Sequence, residues 1–244
     1  MTGNGDDAVA LVTGGYKNLG YYISTELKQA GYNVVATYRS DHKEAESTAR
    51  KLRIPVYLAD MTNRDEVVDL FSRITSNDGR VGILVNNVSS FPKGPLQKMS
   101  DEEFENAFRS SVFSSNMAIN QALLPMMDLG WGRIVNIGMA GVTEIKAYSD
   151  VAAHAAAKTA MAVLTRSWAR ELKEDNITVN MVSPGIIDYP GKDDAWRRKM
   201  KSISTSGKLT PPSNVSRAIR SLVERGDVTG RIIKVDPEFL GSDL

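Results

Sequence analysis

The chain has no cysteine, so disulfides, thiol nucleophiles, iron–sulfur ligation and the common cysteine-based zinc sites are excluded together. Only two histidines occur, too few for a His-rich metal cluster. Neither sign of charge is in excess, with 30 Lys and Arg against 29 Asp and Glu, which gives no reason to expect nucleic acid or an anionic membrane as a partner. No apolar run approaches the roughly 18 residues that span a bilayer. The opening Met1–Asp7 is polar and acidic, and the apolar stretch that follows, Ala8–Val12, is far shorter than the core of a signal peptide. These absences set the expectation of a cytoplasmic protein that works on a small molecule, with chemistry borrowed from a bound cofactor.

What is present is the composition of a globular protein: 244 residues, 42% hydrophobic and 24% charged. No repeat, low-complexity tract or long linker divides it, so one domain over 1–244 is expected. Seven short runs rich in Val and Ile read as strands: Ala8–Thr13, Asn33–Thr37, Pro55–Leu58, Ile83–Val85, Arg133–Ile137, Thr178–Val182 and Arg231–Val235. Between them lie amphipathic segments near 20–30, 43–52, 64–76, 102–129, 151–173 and 213–225. Strands alternating with helices indicate βαβ units and a parallel sheet. Strands apolar on both faces indicate helices covering both sides. Gly31 after Ala30 suits the end of the first helix. The stretch Asp188–Ser213 reads as irregular and is the candidate substrate loop.

Directly after the first strand comes Thr13-Gly14-Gly15-Tyr16-Lys17-Asn18-Leu19-Gly20, leading into a helix. Such a turn lets backbone N–H groups approach a pyrophosphate, whose charge the helix dipole favours. The bland alternative is a tight turn with no ligand. The second strand runs into Tyr38-Arg39-Ser40. An acid at this position would favour the ribose hydroxyls of NAD, whereas Arg39 with Lys17 can hold a 2′-phosphate and points to NADP(H) over NAD(H). A merely solvated Arg39 is the alternative.

With these residues in place, the chain resembles the short-chain dehydrogenase/reductase family over nearly its whole length. The matching pieces are the glycine turn, Asp60-Met61, Asn86-Asn87, Lys158, Pro184-Gly185 and Val228-Thr229-Gly230. The resemblance implies a Rossmann-like, doubly wound α/β fold, a seven-stranded, mostly parallel sheet with the cofactor at the carboxyl ends of the strands. It implies that Asp60 faces the adenine, that Asn86 to Val88 lines the adenosine side and that Pro184 to Ile187 bounds the nicotinamide. It also implies a homo-oligomer, dimer or tetramer, assembled through the long helices at 102–129 and 151–173.

Family reductases use a Tyr four residues before the Lys, a Ser upstream and often an Asn in the preceding long helix. The Tyr is the acid, the Lys binds ribose and lowers the Tyr pKa, and the Ser hydrogen-bonds the substrate oxygen. Here the Tyr position is His154, the Ser position Met139, and the Asn position Ser111 or Val112; Lys158 remains. The second glycine of the turn is Asn18, a residue that accepts left-handed backbone. Tyr148, Tyr189 and Glu144 are substitute acids without the family's spacing. His154 and Lys158, four apart, share a helical face and compete as cations, which favours a neutral imidazole able to polarise a carbonyl. The alternative is a His that fills the space of a lost Tyr. Met139 fills space and makes the centre apolar, which suits a flat or aromatic substrate.

Three readings follow. The first is an NADP(H)-dependent oxidoreductase with an atypical centre, acting on a small carbonyl or related unsaturated substrate. The second is a cyclase, dehydratase or isomerase on the same scaffold, and the third a non-catalytic NADP-binding subunit or sensor.

Overall fold

The structure, a computed structural model, describes residues 7–204 and 206–238. The seven strands are β1 (Ala8–Val12), β2 (Asn33–Tyr38), β3 (Val56–Leu58), β4 (Arg80–Asn86), β5 (Gly132–Ile137), β6 (Ile177–Pro184) and β7 (Ile232–Val235). They form one sheet in the order β3-β2-β1-β4-β5-β6-β7. Every neighbouring pair is parallel, so the sheet is wholly rather than mostly parallel among the described residues. The order reverses between β1 and β4, which opens a crevice at their carboxyl ends.

The alternating Val, Leu and Ile of the central strands face both ways, and both faces are covered. On one side α1 (Asn18–Gln29) and α8 (Pro212–Glu224) bury Ile23, Leu27, Ile219 and Leu222 against β1, β4 and β5. On the other, α3 (Arg64–Asn77), α5 (Ser114–Leu129) and α6 (Ala152–Glu171) bury Leu70, Ile74, Ile119, Met126 and Ala169. Each fully buried Leu or Ile contributes about 1.5–3 kcal/mol relative to exposure. The helices start on local signals: Asp41 caps α2 (His42–Leu52), Asn63 caps α3, and Ser100 and Glu103 form a reciprocal capping box on α4 (Asp101–Phe108).

Three local features differ from the sequence expectation. The segment 102–129 is not one uniform helix: α4 and α5 are joined by a wide π-type turn at Arg109–Phe113. There the Ser110 hydroxyl donates to Asn106 O at 2.6 Å and that of Ser114 to Ser110 O at 2.6 Å, so side chains compete for the helix's own carbonyls. β4 begins three residues earlier than expected, at Arg80. Gly82 hid it, because a Cβ there would come 2.9 Å from the Trp131 ring and only glycine fits. The stretch 188–213 is not wholly irregular, since it contains α7 (Asp194–Ile203), capped by Asp193, whose carboxylate accepts from Trp196 N at 2.7 Å. No α7 residue is buried, so the helix leaves little of the core signature by which the others were read.

At the amino end of the sheet, Arg133 on β5 is 4% exposed and donates through Nη1 to Gly132 O and Asn176 O. Gly226 lies close beside it: a Cβ there would stand 2.6 Å from Nη2, so the guanidinium would have to shift. No described helix is long and apolar enough to cross a membrane.

Candidate cofactor and active site

The glycine turn is clamped between β1 and β4. Thr13 Oγ1 accepts from Asn87 N at 2.9 Å, and Asn87 Nδ2 donates to Thr13 O at 3.0 Å and Gly14 O at 3.3 Å. Gly14 has φ +61 and its N–H donates to Thr37 Oγ1 at 2.9 Å. At Gly20 a Cβ would lie 2.1 Å from Gly14 O, so the helix can approach the turn only without a side chain. Asn18, in the place of a family glycine, has φ 47, the left-handed conformation that Asn tolerates. At the start of α1 no side chain caps the helix and no acid lies in the first turn. Its leading N–H groups and the positive end of its dipole suit an anion. The residues present therefore fit a pyrophosphate.

Leu19 is buried in the core, and Tyr16 packs edge-on against Tyr38 with ring centroids 6.0 Å apart. Beside them, Arg39 is largely exposed and lies 3.8 Å from Asp60, while Lys17 lies 3.9 Å from Asp41. Exposed pairs of this kind contribute about 0–1 kcal/mol, so a phosphate offering two charge-assisted contacts can displace them. Ser40 is exposed at the same rim. Asp60 Oδ1 accepts from both Thr62 N and Thr62 Oγ1 at 2.8 Å, and Met61 is buried in the core.

Asn86 turns its side chain inward, donating to Asn136 Oδ1 at 2.9 Å, and Asn136 in turn donates to Thr165 Oγ1 at 2.9 Å. This chain of amides ties β4, β5 and α6 together and commits the Asn86 Nδ2 to the interior. Val88 packs beside Gly14. Across the crevice, Pro184 O accepts from Ala140 N at 2.9 Å, Gly185 N donates to Val235 O at 3.0 Å, and Ile187 bridges to Thr210. The hydroxyls of Ser183 and Thr210 are enclosed here with no hydrogen-bond partner among the described residues. Sequence reading missed both.

On α6, Lys158 is buried and its Nζ donates to Ile137 O at 2.6 Å. Burial lowers its pKa to about 8. His154, one turn earlier and 6% exposed, donates Nδ1–H to Ser90 O at 2.9 Å and meets the Phe91 ring edge-on at 4.5 Å. Burial, and then the neighbouring Lys158, lower its pKa to about 4, so the imidazole is neutral at physiological pH. Ser111 is buried in the wide turn, its Oγ 2.8 Å from Ser89 Oγ, and Ser110 Oγ accepts from Ser90 N at 2.8 Å. The serine pairs 89–90 and 110–111 thus knit the loop after β4 to the helix break; their doubling in the sequence was the available signal. Met139 packs with Val142, Met161 and Met181.

Burial raises the Tyr189 pKa to about 12, Glu144 pairs with Lys146 at 3.0 Å, and the Tyr148 hydroxyl is enclosed and unpartnered.

A family model described as Enoyl-(Acyl carrier protein) reductase matches residues 14–237. The acetoacetyl-CoA reductase of Rhizobium meliloti (strain 1021) is 30% identical over 236 residues, covering 93% of this chain and 96% of its own length. The chain belongs to the short-chain dehydrogenase/reductase family. Another relative within that family, the 3-oxoacyl-[acyl-carrier-protein] reductase of Vibrio cholerae (serotype O1, El Tor Inaba N16961), is 30% identical and covers 96% of this chain and 97% of its own. Among solved structures, a blue fluorescent protein from a metagenomic library, in complex with NADPH, superposes with a TM-score of 0.86 at 28% identity. That match covers 97% of this chain and 99% of the other.

Proposed function

We propose that this chain is an NADP(H)-dependent oxidoreductase acting on a small-molecule carbonyl or related unsaturated substrate, with Met139 and His154 where family reductases place Ser and Tyr. The observation that carries it is the uncapped start of α1 behind a turn that only glycine permits, with Arg39 and Lys17 on its rim. The NADPH bound by a relative of the same fold supports the choice of nucleotide, and the reductases among the curated relatives support the reaction class.

When bound, the nicotinamide supplies or accepts a hydride; the protein's part is to hold and orient. The N–H groups of the turn and of α1 hold the pyrophosphate, Arg39 and Lys17 the 2′-phosphate, and Asp60 and the backbone at Asn86 to Val88 the adenosine side. Lys158, bonded to Ile137 O, would hold the ribose hydroxyls, and Pro184, Gly185 and Ile187 would bound the nicotinamide. Met139 keeps the substrate face apolar.

Exposed Phe113, Leu124 and Met127 near and on α5, with Val163 on α6, support a homo-oligomer through these helices, as dimer or tetramer. The absence of cysteine supports a cytoplasmic setting. Fluorescence titration with NADPH and NADH tests the reading: NADPH binds the more tightly, and equal affinities for the two would remove the role given to Arg39 and Lys17. A second reading, a non-catalytic nucleotide-binding subunit, is favoured by Met139 and by the lack of a poised acid among the described residues. Hydride exchange between NADPH and any substrate excludes it.

A further inference from the structure

The overall charge balance conceals a local asymmetry at the mouth of the crevice. Residues 188–208, which include α7, hold six Lys and Arg against three Asp. All three acids are committed: Asp188 and Asp194 pair with Arg197 at 2.9 and 3.9 Å, and Asp193 caps the helix. Lys192, Arg198, Lys199 and Lys201 are exposed and have no acidic partner among the described residues. Along the same helix Trp196, Met200 and Ile203 fall on one line, and Ile203 is 63% exposed. Two further loops at the carboxyl end of the sheet repeat the pattern. Phe91 and Leu96 after β4 and Ile145 after β5 are exposed, Ile145 at 95%. Gly94 N ties these two loops together by donating to Asp150 O at 2.9 Å. In each of the three loops a lysine stands over an aromatic ring: Lys93 over Phe91 at 5.0 Å, Lys146 over Tyr148 at 5.6 Å and Lys192 over Trp196 at 5.4 Å.

We propose that this rim is a docking face for an anionic lipid surface, with α7 lying in the plane of the interface. A bilayer offers a sheet of negative headgroups to the four unpaired cations, above hydrocarbon that takes the stripe of Trp196, Met200 and Ile203. Trp suits that boundary, and lysine stems lie along apolar surface while their ammonium groups stay at headgroup level. α7 has only ten residues, so burial of its stripe holds it weakly and charge decides. Each Lys or Arg near an anionic surface contributes about fivefold in affinity. Attachment is therefore reversible, selective for anionic over neutral lipid and sensitive to salt. An acidic protein would also satisfy the cations, but it would have to match the shape of three separate loops. A fluid lipid plane moulds itself around apolar tips and interleaved cations without such a match. The crevice opens at this end of the sheet, so a docked molecule turns its substrate entrance toward the lipid. The docking itself is independent of the oxidoreductase reading.

Co-sedimentation of the full chain with vesicles tests this, using phosphatidylcholine alone and phosphatidylcholine with about one quarter phosphatidylglycerol, at about 0.05 and 0.5 M NaCl. Binding is expected to the anionic vesicles at the lower salt, and not to the neutral vesicles or at the higher salt. Combining Arg198→Glu, Lys199→Glu and Lys201→Glu should lower partitioning by about 100-fold or more. An equal change of charge on exposed residues at the amino end of the sheet, Lys28→Glu with Arg170→Glu and Lys173→Glu, should leave it within about twofold. Melting temperatures confirm that both variants fold. Vesicles with brominated acyl chains should quench part of the tryptophan fluorescence, and Trp196→Ala should remove that quenching. Trp131, just before β5, and Trp168, in the last turn of α6, lie toward the other end of the sheet. Absence of binding, equal binding to neutral vesicles, binding retained by the α7 triple variant, or quenching that survives Trp196→Ala would each overturn the proposal. Binding of soluble poly-glutamate through the same three residues, without vesicle binding, would overturn it in favour of an acidic protein partner.

Discussion

The nucleotide end of the crevice and its catalytic end obey different rules. At the glycine turn every departure from the family pattern is conformationally equivalent to what it replaces: Asn18 adopts φ 47 where a glycine is usual, and Gly14 and Gly20 remain where backbone meets backbone. Around His154, on the reading proposed above, the changes alter chemistry: an imidazole that donates to Ser90 O and the packed thioether of Met139 stand where hydroxyls are expected. Steric necessity fixes the first region, because a Cβ has nowhere to go. The second region is packed by side chains rather than by backbone, with His154 against the Phe91 ring and Met139 among Val142, Met161 and Met181, so more than one residue type fits there.

The sharpest way to break this contrast is at Gly20. Gly20→Ala puts a Cβ where Gly14 O now lies 2.1 Å away. NADPH affinity in a fluorescence titration is expected to fall by about 100-fold or more as α1 is pushed off the turn, with a lowered melting temperature. Retained affinity would show that the turn is not the pyrophosphate site.

At the other end, His154→Tyr combined with Met139→Ser should gain reduction of acetophenone by about 100-fold over the parent, since one oxyanion donor alone contributes 10²–10³ in rate. A double variant that binds NADPH normally yet gains no activity would mean that these positions do not face the reacting atoms. A smaller effect is expected from Arg39→Asp, which removes the cation and its pairing with Asp60. Charge-assisted hydrogen bonds contribute about 1.5–3 kcal/mol, so the preference for NADPH over NADH should shift by about 10- to 100-fold, read from paired dissociation constants.

The fourth prediction concerns the pH dependence of stability. His154 titrates at about 4 in the fold against 6.5 in the open chain, so stability is fully present above 6.5 and is lost as pH falls toward 4. Lys158 titrates at about 8 against 10.5, so between these values the unfolded chain holds more protons and stability rises with pH. Urea midpoints measured across the range should show both slopes. His154→Asn should flatten the acid one and Lys158→Met the alkaline one; slopes that persist in the variants would assign them to other groups.

The sheet was readable because its strands are buried on both faces, where hydrophobicity is unambiguous. β4 was read short only because Gly82 interrupts its apolar run to admit Trp131. The helix α7 was missed for the opposite reason: its apolar residues, Trp196, Met200 and Ile203, recur at i, i+4 and i+7 but face no core. The turn and the positions of His154, Met139 and Lys158 followed from motif and spacing. The imidazole tautomer could not, because it depends on Ser90 O, 64 residues away in the chain. Nor could the break in the long helix, which arises from serine hydroxyls drawing on backbone carbonyls.

Arg133 and Gly226 offer a control that most enzymes lack. Their contact lies at the amino end of the sheet, the opposite end from the crevice, and it is tight enough that Gly226→Ala must displace a buried guanidinium. Such a variant weakens folding while touching neither the glycine turn nor α6. It serves as an internal ruler: the activity it loses at a given melting temperature is what instability alone removes, and any larger loss in a variant at the crevice belongs to chemistry.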